Sequence, residues 1–416
     1  MWRRVIDKDG NVIKDNNIFF ESLRREHQVA SFIEMLDTDL KEIPDGKIFS
    51  KHSENDLTNV ISDGNIDVDT TRATRRTGEI TLLNPEAEFT PATADFDSEG
   101  PWVGKIYLNR IVRLYRGLYV GEQAYYVPVG TLMIDVCDVL VEQNMSLVNL
   151  TLSDRFKMMT KAQWGYPKSY PKETLYNDII FDIIDSCGVQ TSGFYGAILD
   201  GLKDRSVADR KTNVKITFEQ GENKGDKLKE LTRRWNIDAY FDPLGVFRTE
   251  DRLRPRDKAP VWNFHAEESS DGRNGMLVSI RRSFNDDNLY NHVVIIGTGN
   301  KKKVIRAVRR DERPYSKTSI ARIGDRMHIF ESDKISTQAE ANRALNRAWD
   351  LRFQLSEEIE LRTISNPALE GDDVIRITER EKAKIDGKYR LQRFNIPLVT
   401  SLQTHQAVNI IYGDDL

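Results

Sequence analysis

From Val103 to Leu152 the chain writes an alternating pattern four times with almost nothing between. Ile106, Leu108, Val112 and Leu114 alternate with Lys105, Asn109 and Arg113, the two-residue period of a strand with one buried and one wetted face. A turn at Gly121 leads to Tyr125–Val129, and Gly130 interrupts. Thr131–Val136 resumes with Leu132, Ile134 and Val136 on one face, and Val148, Leu150 and Leu152 close the series. Linkers this short allow only antiparallel neighbours, because a parallel pair needs a crossover of about a dozen residues. The stretch predicts a meander or small barrel.

The flanks extend this picture. Met1–Asn17 is polar, with an Asp9-Gly10 turn between two short apolar pairs, and reads as a hairpin or an arm able to pack on a neighbour. Val29–Met35, Gly64–Val68 and Glu79–Leu83 read as strands, and Asn84–Pro101 as a long loop of functional or interface character. Thr174–Ser186 has a helical stripe of isoleucines and a Gly188 cap. Next come a strand at Val214–Phe218, a helix capped by Asp226, and a hairpin closed by Asp242-Pro243-Leu244-Gly245.

Strands return at Leu277–Arg281, Asn291–Gly297 and Val304–Val308. Thr337 and Glu340 form a capping box for one late helix, and four more strands follow it. The expected fold class is mainly β with inserted helices, two antiparallel barrel-like domains with smaller α+β units between. The expected boundaries are an arm at 1–18, a first barrel at 19–160 holding the loop 84–101, a helix plus small α+β domain at 161–270, and a second barrel at 271–416 with an inserted helix at 337–353.

At 416 residues the chain is long enough for two to four domains, and its net charge of −4 gives it no global pull toward nucleic acid or anionic membrane. The start lacks the apolar core of a signal peptide, and runs such as Val293–Ile296 are too short to span a bilayer, so no membrane anchor is expected. Cys137 and Cys187 read as small buried hydrophobes, and the six histidines show no zinc spacing. Gly297-Thr298-Gly299 stands where a dinucleotide fingerprint would begin, but its third glycine is replaced by Lys302, and a hairpin turn is the better reading. Lys301–Lys303 with Arg306, Arg309 and Arg310 reads as a solvated edge. No catalytic, cofactor or metal site is expected.

Four stretches, in this order, resemble the tail hub proteins of bacteriophages, the group of baseplate hubs and siphophage hub-like minor tail proteins. They are Gly64–Leu83 with Arg75-Arg76; Gly100–Val136 with Arg113-Leu114-Tyr115-Arg116-Gly117 and Val127-Pro128-Val129-Gly130-Thr131-Leu132; Gly225–Arg248 with the Asp-Pro-x-Gly hairpin; and Asn288–Ile377 with Asn291–Gly297 and Asn366-Pro367-x-Leu369-x-Gly371-Asp372. The resemblance implies a homotrimer in which each chain gives two tube-like barrels. It also implies a place in the virion, at the tail tip or baseplate, after synthesis in the host cytoplasm. Its implied neighbours are a tail tube or distal tail protein ring, a tip or central fibre protein, a tape measure protein, and DNA passing the lumen without specific binding.

The acidic balance suits such a channel, since a phosphate-binding lumen would retard the genome. Some relatives carry a fused lytic or peptidase domain, and none is expected in this sequence after the second barrel. A tail-associated cell-wall hydrolase and a host carbohydrate- or receptor-binding module are the competing classes. Candidate interface residues are Asn84, Pro85, Phe89, Pro91, Phe96 and Pro101 of the long loop, with the aromatic residues Trp102, Tyr119, Tyr125 and Tyr126 either anchoring such a surface or packing inside the barrel.

Overall fold

The computed structural model describes residues 5–14, 17–24, 27–51, 60–91, 104–143, 145–189, 210–235, 237–251, 258–266, 276–286, 289–299, 303–333, 335–352 and 354–412. A short helix, α1 (Asn17–Ser22), leads into β1 (Val29–Leu36), β2 (Glu42–Phe49), β3 (Ile61–Asp69), β4 (Arg76–Leu83), β5 (Ile111–Val120), β6 (Gln123–Glu142) and β7 (Met145–Asp154). Every pairing among these strands is antiparallel, in the spatial order β3-β4-β7-β6-β5-β1-β2.

The central stretch forms three strands rather than four. Gly130 does not break the chain; Tyr125–Val129 and Thr131–Val136 join in the 20-residue β6, and Pro128 is accommodated at a bulge opposite Tyr115. Lys105–Arg110 is turn rather than strand, because Asn109 takes φ +68° and the Arg110 guanidinium binds the carbonyls of Gly104, Lys105 and Leu36.

A middle unit follows, made of α2 (Phe156–Thr160), β8 (Lys168–Tyr170), α3 (Tyr176–Asp185), β9 (Ile216–Phe218), α4 (Lys224–Trp235), β10 (Ile237–Phe241) and β11 (Phe247–Asp251). It has its own core, in which Ile179, Ile180, Ile183 and Ile184 of α3 and Leu228 and Leu231 of α4 meet Trp164 and Phe218. The cap of α4 is Asn223, whose Oδ1 accepts the Asp226 N–H at 3.0 Å; Asp226, expected as the cap, lies inside the first turn.

The second sheet lobe contains β12 (Trp262–His265) and β13 (Leu277–Asn285). An insertion of β14 (His292–Gly297), β15 (Ile305–Arg310), α5 (Ile320–Ile323), β16 (Met327–Ser332) and α6 (Gln338–Arg352) comes next. The lobe resumes with β17 (Gln354–Ile364), β18 (Val374–Glu379), β19 (Ile385–Pro397) and β20 (Leu402–Tyr412). Contrary to the expectation that Asn291–Gly297 and Val304–Val308 belong to the second barrel, β15-β14-β16 form a separate three-stranded sheet. Val293, Ile295, Ile305 and Ala307 turn their side chains to α6, so this unit is closed by a helix and not by the large sheet. The late capping box is present: Glu340 N–H donates to Thr337 Oγ1 at 3.3 Å, and Thr337 N–H to Glu340 Oε2 at 3.1 Å.

β19 joins the lobes by pairing with β3 from Arg393↔Asp69 to Pro397↔Asn65, so one 13-stranded sheet runs through both. A single apolar core extends from Ile33, Leu114 and Leu152 in the first lobe to Ile375, Leu391 and Ala407 in the second. No helix among the described residues is long and apolar enough to cross a membrane. Cys137 and Cys187 are half-buried thiols.

His405 of β20 is sealed in this core between the rings of Phe264 and Phe394, its Nε2 2.9 Å from Thr363 Oγ1. Burial pushes its pKa down to about 3 from 6.5. The unfolded chain therefore takes up the proton first as pH falls, and stability contributed by this residue is constant above pH 6.5 and lost from there down to about pH 3. His405→Gln, which keeps a partner for Thr363 without titrating, should remove about 2–3 kcal/mol of the stability difference between pH 7 and pH 4.5, measured by urea unfolding at both.

Candidate functional site: an arginine junction and an open strand edge

The three principal units meet at Arg75 and Arg76, where the β3–β4 turn enters β4. Asp154, fully buried at the end of β7, accepts the backbone N–H groups of Arg75 at 2.8 Å and Arg76 at 2.9 Å, and its other oxygen takes Phe156 N–H at 2.9 Å to start α2. One carboxylate thus fixes both the turn and the entry to the middle unit. Burial holds the Asp154 carboxyl above the usual carboxylate range, outweighing these donors and the Arg76 charge.

The two side chains then diverge. Arg75 Nη2 reaches Asp372 Oδ2 at 2.6 Å in the second lobe, and its guanidinium lies 4.1 Å from the ring centre of Tyr240 in the middle unit. Arg76 pairs with Glu370 of the second lobe and donates to the Phe241 carbonyl of the middle unit at 2.7 Å. Burial alone would lower the Arg75 pKa, but Asp372 and Glu370 outweigh it and raise it. Gly371 is required between those acids: a Cβ there would stand 2.5 Å from Arg75 Nη2 and from Thr70 Cγ2.

A second strap holds the same hairpin. Its turn carries Gly245 at φ +78°; Thr131 Oγ1 donates to the Pro243 carbonyl at 2.8 Å, Arg113 to that of Leu244 and Arg155 to that of Gly245, both at 3.3 Å. The phrases Arg75-Arg76, Arg113, Thr131, Asp242–Gly245 and Glu370–Asp372, scattered in sequence, converge on one place. Their carboxylates, carbonyls and guanidinium Nη groups pair with one another, while the Nε groups of Arg75 and Arg76 are buried without an acceptor, so the junction positions the units.

The residues expected at an interface fall in separate places. Asn84 is buried: its Nδ2 bonds Thr90 Oγ1 at 2.9 Å and its Oδ1 accepts Phe89 N–H at 2.9 Å, while Phe89 packs in the main core. Pro85 is exposed and Pro91 half-buried. Phe96, Pro101 and Trp102 lie outside the described residues. The three tyrosines are inside the chain, at 8% exposure for Tyr119 and Tyr125 and 2% for Tyr126. Tyr119 and Tyr126 pack with Phe32 and Tyr115 on one sheet face, and Tyr125 joins the main core on the other. The N-terminal arm docks on its own chain, with mutual backbone hydrogen bonds between Ile6 and Tyr126 of 2.9 and 2.8 Å.

The exposed apolar surface is elsewhere, on a feature the sequence reading missed. β5 pairs with β6 only as far as Met133, and beyond Ile134, whose backbone bonds Asn109 and Arg110, β6 pairs with β7 alone among the described residues, leaving its other edge open there. Val136, Val139, Leu140 and Val141 on this edge are 42, 41, 41 and 73% exposed, and Met145 across the turn 45%. The sequence signal was the run Val136–Val141, apolar at both parities except for Asp138. A long apolar edge of this kind is a template for another strand.

No family model matches the chain, and no curated protein matches it. Solved structures do. A tail protein from Neisseria meningitidis superposes with a TM-score of 0.61 over 94% of this chain and 99% of that one, at 11% identity. The 43 kDa tail protein of prophage MuSo2 from Shewanella oneidensis gives 0.56 over 93% and 99%, also at 11% identity. The chain has the fold of these tail proteins. A chain of the Francisella PdpA–VgrG complex shares it at a TM-score of 0.52 and 9% identity, over 96% of this chain and 54% of that one.

Because the junction charges are buried, removing one partner leaves another desolvated and unpaired. Arg76→Leu should destabilise the chain by about 3–5 kcal/mol in urea unfolding, and adding Glu370→Leu to it should recover part of that loss.

Proposed function

We propose that this chain is a structural protein of the virion, a trimeric hub at the distal end of a phage tail that joins the tail tube to the tip or central fibre and lines the path of the DNA. The observation that carries this reading is the extent of the likeness: two tail proteins match this chain over 99% of their own length, so the units and their order correspond from end to end. In this reading the lobes at 19–160 and 271–416 act as two tube-like barrels, with the three-stranded unit as an insertion in the second. Three copies then approximate a sixfold ring. The partners are other copies of this chain, a tube or distal tail ring, a tip or fibre protein, a tape measure protein, and DNA that passes without specific contacts.

A closed ring needs heterologous contacts, in which one surface meets a different surface on the next copy. The open edge of β6 supports this, since strand addition there would cover Val139 and Val141 and satisfy the free backbone groups. Pro85, Pro91 and the loop segment beyond them are proposed as a second contact. Asn84 and Phe89 instead hold the base of that loop within the chain, so a deletion testing the contact must spare them.

Lysine is the natural guard of a strand edge. The double variant Val139→Lys with Val141→Lys should keep the wild-type thermal midpoint, because both side chains are substantially exposed, and lose self-association and incorporation into tails. Tails that assemble normally from this variant would remove the β6 edge from the interface.

A further inference from the structure

A groove of about 440 Å³ opens where α1 meets β12, with Phe20 and Arg24 on one wall and Pro260, Val261 and Trp262 on the other. The Arg24 guanidinium lies 4.8 Å from the Trp262 ring centre, and Phe20 stands 6.5 Å from the same ring. Among the described residues Arg24 is the sole charged one of the lining, and the Glu21 carboxylate, 3.8 Å from it, is mostly exposed. Two buried N–H groups here, Arg24 Nε and Trp262 Nε1, have no acceptor, and Trp262 is only 6% exposed. Buried donors are almost always satisfied, so this pair points to a missing acceptor. Among the described residues β12 pairs with β18 alone, and at its far end the His265 carbonyl accepts the Met276 N–H at 3.1 Å. A cation, two unused donors, an aromatic floor and a free strand edge together fit an extended segment that carries carboxylates beside an aromatic ring.

The chain contains one such segment outside the described residues: Thr93-Ala94-Asp95-Phe96-Asp97-Ser98-Glu99, three carboxylates around one phenyl group. We propose that this segment of one copy docks in the α1–β12 groove of a neighbouring copy, with a carboxylate on Arg24 and Phe96 against Phe20 and Trp262. The choice of a neighbour over the same chain rests on the hub reading, which brings copies of this chain into contact.

The test uses a fluorescein-labelled peptide of residues 92–100, titrated into full-length chain whose own Asp95, Asp97 and Glu99 are changed to Asn, Asn and Gln so that the groove is vacant. Saturable anisotropy is expected. It should weaken at least tenfold with Arg24→Gln, be partly retained with Arg24→Lys, and vanish with a peptide bearing the same three amides. Unchanged thermal midpoints would establish that both arginine variants fold. A peptide that fails to saturate, or binds Arg24→Gln as well as wild type, overturns the proposal. If the chain forms trimers and the peptide does not bind, the inference fails and the hub reading stands; if the peptide binds to a chain that stays monomeric, the hub reading fails and the groove's chemistry stands.

Discussion

Everything in this molecule hangs on how Asp154 presents two consecutive arginines. Its three backbone hydrogen bonds fix the turn into β4 and the start of α2, which aims one guanidinium at Asp372 and the other at Glu370, with Tyr240 and Phe241 of the middle unit under both. Three separately built units are thereby locked in one arrangement by charges that are withdrawn from water. Replacing such a cluster with apolar residues is often no worse for stability, so its value lies in specificity: the side chains fit one relative placement of the units and no neighbouring one. The proposed hub role would use that property, because a ring closes only if each copy presents its two contact surfaces at a fixed angle.

The same economy of buried and open surfaces guides where the proposed assembly contacts are placed. Of the aromatic side chains that the sequence offered either to an interface or to the barrel interior, Tyr119, Tyr125 and Tyr126 are packed within the chain. Phe32 stacks on Tyr115 at 4.3 Å and meets Tyr126 edge-on at 4.8 Å, and the N-terminal arm covers them. Exposed apolar side chains lie instead on strands: the far part of β6 with its row of valines and leucine, and also Phe284 of β13 and Ile329 and Phe330 of β16. Backbone edges bind through groups that every residue has, with side chains supplying the choice of partner.

Local pattern foretold local structure well. Alternation placed β3, β4 and β7, the Asp242–Gly245 turn placed the β10–β11 hairpin, and the Thr337–Glu340 capping box placed α6, because each is signalled by residues within the element itself. Failures came where the deciding contact is distant. β2, with Pro44 and Gly46, has little strand character of its own and exists because Ile48 and Phe49 lie opposite Ile33 and Phe32 of β1. Val293–Ile296 is apolar at both parities, so nothing local says which sheet it joins. The mainly β class was legible, and Arg75-Arg76 stood out only as one phrase of the family resemblance, with no role attached. Its partners were not legible, since they lie 165 to 297 residues away. The β6 edge was hidden for a different reason: an exposed apolar strand looks like a buried one until its neighbours are counted.

The central claim is that copies of this chain close into a ring of three. Sedimentation of the purified protein over a wide concentration series, with images of the heaviest species, tests it directly. The account predicts a particle of three 47.9 kDa chains with a central opening. A strict monomer at every concentration, or a closed dimer, would contradict it.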